Sequence, residues 1–114
     1  MRRDEDRLRD ISEQITSVLL AVAGKDRSAF DADPILQKAV LYDLMTIGEA
    51  ASKISGELRS KYPQVSWKEI CGLRAILAHQ YFSVDLDVIW HAVSTDLVPL
   101  RSQIEDILRA EFPN

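Results

Sequence analysis

The stretch Ile35–Leu58, ILQKAVLYDLMTIGEAASKISGEL, decides the fold class of this chain. Ile35, Val40, Leu44, Ile47, Ala51, Ile54 and Leu58 recur at helical spacing and give one apolar face along the whole run. Its middle, IGEAAS, contains Gly48, Ala50, Ala51 and Ser52, all small enough for another backbone to come close. Asp33 is placed to cap this helix, with Pro34 at its first position, and Pro63 ends the segment.

Working outward, Leu8, Ile11, Ile15, Val18, Leu19 and Val22 recur at threes and fours, predicting a first helix that Gly24 stops. A polar connector, GKDRSAFDADP, joins it to the second, with Phe30 as an anchor onto the body. Downstream, SWKE reads as a capping box in which Ser66 opens a third helix and Glu69 reaches back. That helix covers Trp67 to about His79. A fourth begins near Asp85, and its stripe runs Leu86, Ile89, Val93, Leu97, Leu100, Ile104, Ile107 and Leu108. Pro99 lies inside this stripe without breaking its phase, which predicts a kinked helix rather than two. No strand-like alternation occurs. The expectation is an all-α, antiparallel four-helix bundle with a kinked C-terminal helix, a single domain over residues 1–114.

Bulk properties narrow the function. A chain of 114 residues buries roughly two thirds of its unfolded surface and needs no staple to fold. The single cysteine, Cys71, cannot form an internal disulfide and reads as a small buried thiol. The opening MRRDEDRLRD is charged and is followed by an amphipathic pattern, unlike a signal peptide. No apolar run approaches the ~18 residues of a membrane span. A reducing cytoplasm is the expected location. A net charge of −4 argues against a general nucleic-acid coat, though not against a small site holding one phosphate.

The third helix carries the anomaly. At about 100° per residue, Trp67, Ile70, Cys71, Leu77 and Ala78 share a broad face, and Arg74 falls in its middle. A guanidinium there is costly unless paired. It can pair with a carboxylate such as Glu49, snorkel to an edge, or face a cleft or second subunit and hold an anion. His79 falls on the polar arc, in the last turn, where an imidazolium suits the negative helix end. Tyr81 reads equally well as a half-buried aromatic, and His91 as a surface or interface residue with no evident partner. Two histidines without clustered cysteines or paired carboxylates make a weak metal case, so no metal or cofactor is expected.

Arginine, histidine and tyrosine together suit one reaction. In RNA cleavage the neighbouring 2′-hydroxyl loses a proton and attacks phosphorus. A histidine can accept that proton or protonate the leaving oxygen. A planar arginine can clamp the phosphate and balance the developing charge. One such pair per chain supplies one acid–base group, and two chains at a twofold axis supply two.

The run RAILAHQY, Arg74–Tyr81, resembles the R-x4-H-x-Y motif of the HepT-like branch of the HEPN superfamily. DRLRDISEQI resembles that family's opening helix, AVLYDLMTIGEAASKIS its second, and YFSVDLDVIW the segment after the motif. The resemblance implies a four-helix HEPN fold, a homodimer able to enter a larger hetero-oligomer, and metal-independent endoribonuclease activity. It implies the toxin of a type VII HepT/MNT toxin–antitoxin system. Carried over, Arg74 stabilises the phosphate, His79 is the acid–base group, and Glu49 supports Arg74. Tyr81 is the residue that a cognate MNT nucleotidyltransferase antitoxin adenylylates, which adds charge beside the site. The position after the arginine is usually polar in the superfamily, most often asparagine, and here it is Ala75. That departure motivates a second reading, a catalytically weak or inactive HEPN module that binds a partner. In a third, Arg74 only pairs structurally with Glu49.

Overall fold

A computed structural model describes residues 3–80 and 85–113, with residues 76–80 described by their backbone alone. The chain folds as an all-α bundle, and the described residues include no strand. Helix α1 spans Asp4–Val22, α2 Arg27–Asp31, α3 Pro34–Ser52, α4 Gly56–Lys61 and α5 Trp67–Gln80. The last helical run comprises α6 (Leu86–His91), a π-helical turn (Ala92–Asp96) and α7 (Leu97–Glu111). Helix α1 packs against α3 and α7, and α3 packs in turn against α5.

The apolar stripes read from the sequence converge on one cluster. Leu8, Ile11 and Ile15 of α1, Val40 and Ile47 of α3, and Ile104 of α7 are fully buried. Phe30 is fully buried as well. Its ring lies 5.2 Å from that of Trp90, tilted by 41°, so the connector is pinned to α6. Arg27 reinforces the attachment, contacting Asp31 at 2.8 Å and Asp87 at 2.7 Å.

Local capping follows the sequence at three helix ends. The Asp33 carboxylate accepts from the Leu36 N–H at 3.0 Å, and Pro34 opens α3. The Asp85 carboxylate accepts from the Asp87 N–H at 2.9 Å ahead of α6. Gly24 adopts a φ of 74° just after α1, a backbone conformation that costs glycine nothing.

Elsewhere the structure corrects the sequence reading. The polar connector contains a short helix, α2, capped by Asp26. The second helix does not run on to Leu58. It stops at Ser52, and Ser55 caps a separate helix α4 by accepting from the Leu58 N–H at 3.2 Å. Arg59 folds back to donate to the Ser52 carbonyl at 3.0 Å and to the Ile54 carbonyl at 2.9 and 3.0 Å, satisfying acceptors that the broken helix leaves free. Asp4 fixes the break from α1, accepting from the Ser55 backbone N–H and hydroxyl. Ile54 and Leu58 are still buried, which explains why the apolar rhythm crosses the break unchanged.

In the fourth helical run the deformation sits upstream of Pro99 rather than at it. The Leu97 N–H donates to the Ala92 carbonyl five residues back, the bond of a π-turn. Pro99 has no N–H to give to Thr95, and its ring crowds that carbonyl; the widened turn immediately before absorbs both effects. The run stays continuous, as the unbroken stripe implies. Cys71 is half-buried against the core rather than fully buried.

The far end of the bundle is closed by polar contacts. The Tyr62 hydroxyl donates to Glu111 at 2.6 Å, and Lys61 contacts the other Glu111 oxygen at 3.0 Å. The Tyr62 hydrogen bond, with Lys61 beside it, holds the Glu111 carboxyl below its usual range, and the same bond raises the Tyr62 phenol. The Trp67 indole donates to the Tyr62 carbonyl at 3.0 Å and ties the start of α5 to this corner. Among the described residues no helix is long and apolar enough to cross a membrane.

Because Ile47 is fully enclosed where α3 meets its neighbours, Ile47→Ala should lower unfolding stability by about 2–5 kcal/mol. Urea unfolding followed by far-UV circular dichroism measures this, and an unchanged midpoint would contradict the assigned core.

Candidate functional site

The site begins with a close approach of two backbones. A Cβ placed on Gly48 of α3 would lie 2.6 Å from the Arg74 amide nitrogen, 3.0 Å from the Ile70 carbonyl and 3.3 Å from the Arg74 Cα. Residues 70–74 of α5 therefore rest directly on the glycine, and buried Ala50 and Ala51 keep the neighbouring surface of α3 low. Small residues in IGEAAS serve the purpose their size suggests.

This contact explains Arg74. Its backbone lies in the α3–α5 seam, yet its side chain is 52% exposed and leaves along the edge of the seam. There an Nη atom lies 3.8 Å from a carboxylate oxygen of Glu49, itself 51% exposed. The expected arginine on an apolar face is thus a snorkelling arginine beside a carboxylate, and not a buried charge. Among the described residues the guanidinium makes no hydrogen bond, only this long ion pair. Ala75 is exposed next to it.

The backbone of α5 reaches Gln80, so His79 is the next-to-last residue of the helix that carries Arg74. Five residues separate them, about 7.5 Å of rise. The side chain of His79, and Tyr81 altogether, lie outside the described residues. Glu49 and Arg74 are therefore brought together, and α5 carries the motif as one helix through His79. His91 is exposed and has a neighbour that the sequence did not suggest, Asp96 at 3.8 Å across the π-turn.

Lys53 is the side chain that the sequence reading passed over. Its ammonium lies 3.4 Å from the Glu49 oxygen opposite the one facing Arg74. Four-residue spacing on α3 was the available signal.

A groove of about 430 Å³ runs between α5 and the π-turn, lined by Ile70 and Leu73 on one side and Thr95, Asp96, Leu97 and Pro99 on the other. Neither Arg74 nor Glu49 lines it, and the carboxylates of Glu69 and Asp96 would repel a phosphate there. Of the two, the seam presents positive charge and the groove does not. Among the described residues no three His, Cys, Asp or Glu side chains are grouped to share a metal ion.

Comparison with known proteins now adds a decisive observation: residues 8–107 match the family described as "Ribonuclease HepT-like". The chain belongs to the HepT-like ribonuclease family. A protein of Caldanaerobacter subterraneus subsp. tengcongensis named "Putative RNase" is 33% identical over 97% of this chain and 99% of its own length. One of the Methanocaldococcus jannaschii proteins with that name is 36% identical, over 86% of this chain and 90% of the relative. A "Probable ribonuclease HepT" of Thermococcus cleftensis is 32% identical over 93% and 96% of the two chains. The comparison with solved structures found no match.

Two unfolding experiments test the geometry. Gly48→Ala gains about 1 kcal/mol of helix propensity but forces a methyl group against backbone atoms that cannot rotate away. The clash wins, and a net loss of about 1–2 kcal/mol is expected by urea unfolding. The Glu49–Arg74 pair is half exposed, so its stability contribution is about 0–1 kcal/mol after solvent screening. A double-mutant cycle built on the neutral truncations Glu49→Gln and Arg74→Gln should give a coupling below about 1 kcal/mol. A coupling of several kcal/mol would identify the pair as a structural brace, and a purely structural role for Arg74 would then stand.

Proposed function

We propose that this chain is the ribonuclease toxin of a type VII HepT/MNT toxin–antitoxin system, acting in the cytoplasm as a homodimer that cuts RNA internally. The observation that carries the reading is the exposed Arg74, loosely held by Glu49, on the helix whose last turn contains His79. Membership of the HepT-like ribonuclease family supports it independently.

In this mechanism the Arg74 guanidinium takes the scissile phosphate in exchange for its weak contact with Glu49. A charge-assisted pair with phosphate at hydrogen-bond distance is stronger than an ion pair at 3.8 Å in water. Glu49 keeps the side chain extended towards the substrate until then. His79 accepts the proton of the 2′-hydroxyl, whose oxygen bonds to phosphorus while the bond to the 5′-oxygen breaks. The second chain's histidine returns a proton to that leaving oxygen. The products are a cyclic phosphate end and a 5′-hydroxyl end. The chemistry calls for no metal or cofactor. A cognate MNT-type nucleotidyltransferase neutralises the toxin by adenylylating Tyr81, two residues beyond His79, which adds a negative charge that repels RNA.

One specific observation favours a second reading. Ala75 is exposed beside Arg74 and offers no polar side chain to a phosphate. A catalytically silent module that only binds its partner would look the same at this position.

The deciding experiment is RNA cleavage by the purified chain in chelator, beside His79→Ala and Arg74→Ala prepared identically. Each variant should lose about 10²-fold or more in rate while remaining folded and dimeric by light scattering. Cleavage that survives His79→Ala unchanged overturns the mechanism. No cleavage by a folded parent, with intact mass showing unmodified Tyr81, establishes the binding module instead.

A further inference from the structure

The Glu49 carboxylate is shared. Lys53 lies 3.4 Å from one of its oxygens and Arg74 lies 3.8 Å from the other. All three side chains are about half exposed, at 49%, 52% and 51% for Lys53, Arg74 and Glu49. Four other cations of the chain are held more tightly. Arg9 contacts Glu5 at 2.8 Å, Arg27 contacts Asp31 at 2.8 Å, Lys61 contacts Glu111 at 3.0 Å, and Arg59 is spent on backbone carbonyls. At the α3–α5 seam two cations divide one carboxylate at distances beyond an ordinary hydrogen bond. Two positive charges and one negative leave a local excess of +1 on a chain whose net charge is −4. The excess is set at a fixed place, because the Gly48 contact holds α5 against α3 and so holds Arg74 beside Glu49.

We propose that Lys53 is a second phosphate-binding residue of the site, taking an RNA backbone phosphate next to the one that Arg74 clamps. The proposal rests on the ribonuclease reading above. Lys53 is a positioning residue: it holds the strand in register along the seam while Arg74 acts on the scissile group. Glu49 separates the two cations, relieves their mutual repulsion in the free protein, and leaves both able to exchange onto phosphates. Lys53 is also the residue at the C-terminal boundary of α3, so its flexible stem starts where the helix ends and can follow a strand leaving the seam.

The test is equilibrium binding of a fluorescein-labelled single-stranded oligoribonucleotide to the 114-residue chain across a potassium chloride series. A His79→Ala background prevents turnover during the titration. Each phosphate neutralised on a single strand contributes about 0.7 to the slope of log affinity against log salt. Lys53→Gln should reduce that slope by about 0.7 and weaken binding, Lys53→Arg should restore both, and the urea midpoint should not move. Lys61→Gln changes the net charge equally but removes an ammonium already bound to Glu111, so its slope should match the parent. If Lys53→Gln and Lys61→Gln give the parental slope alike while the parent binds, the Lys53 assignment is overturned and the ribonuclease reading survives. If the parent binds no RNA at any salt concentration, both fall together.

Discussion

Where α3 crosses α5, one hydrogen atom in place of a methyl group sets the distance between two helices. With Gly48 against the Arg74 amide and the Ile70 carbonyl, α5 settles onto α3 through backbone rather than through interdigitated side chains. Consequences follow from that contact in order. Arg74 has its Cα inside the seam but its guanidinium outside. Glu49, the residue after the glycine, is turned about 100° from it and emerges on the exposed side. The two charges meet because the glycine holds their backbones in register, not because their attraction draws the helices together. An attraction between half-exposed charges at 3.8 Å is too weak to position a helix, whereas a backbone contact backed by the buried core is not.

The sequence revealed features whose causes are local. The stripes of α1, α3 and α7, the caps at Asp33 and Asp85, and the stop at Gly24 each depend on a few neighbouring residues, and each lies where the spacing placed it. The helix break at Ser55 was hidden because Ile54 and Leu58 are buried on both sides of it, so the period gave no warning. Of its stabilising partners, Arg59 is local, whereas Asp4 is brought there by the fold from the start of the chain. The disturbance caused by Pro99 was legible but its location was not, because a proline acts on the carbonyl one turn back and the helix yields where widening is easiest. Arg74 was legible as an anomaly, and Glu49 as its partner. Which side of the seam the guanidinium takes depends on how far α5 is covered, and among the described residues α5 packs chiefly against α3.

A weak ion pair is suited to a site that must exchange partners. A buried, well-formed bridge costs several kcal/mol to break, and an incoming phosphate would have to supply that cost before gaining anything. At the seam, Glu49 competes poorly for either Arg74 or Lys53, since its charge is divided between them and screened by water. The carboxylate is still useful. Without it two like charges would stand side by side and each would spread into solvent. The same division of charge lets an acidic chain present a small positive surface.

Ala75 sharpens this argument. A polar side chain next to the arginine would add one more hydrogen bond to a bound phosphate, and an exposed methyl group adds none. In the proposed site, phosphate orientation would then come from the fork of Arg74 and from charges nearby at the end of α3. A single guanidinium defines a plane but leaves the strand free to slide within it. In the proposed site a second cation at the end of α3 would reduce that freedom, because its backbone is held relative to Arg74 by the Gly48 contact while its side chain reaches along the strand. With alanine at position 75, the proposed site would draw its alignment from the end of α3, where Glu49 and Lys53 share the seam with Arg74.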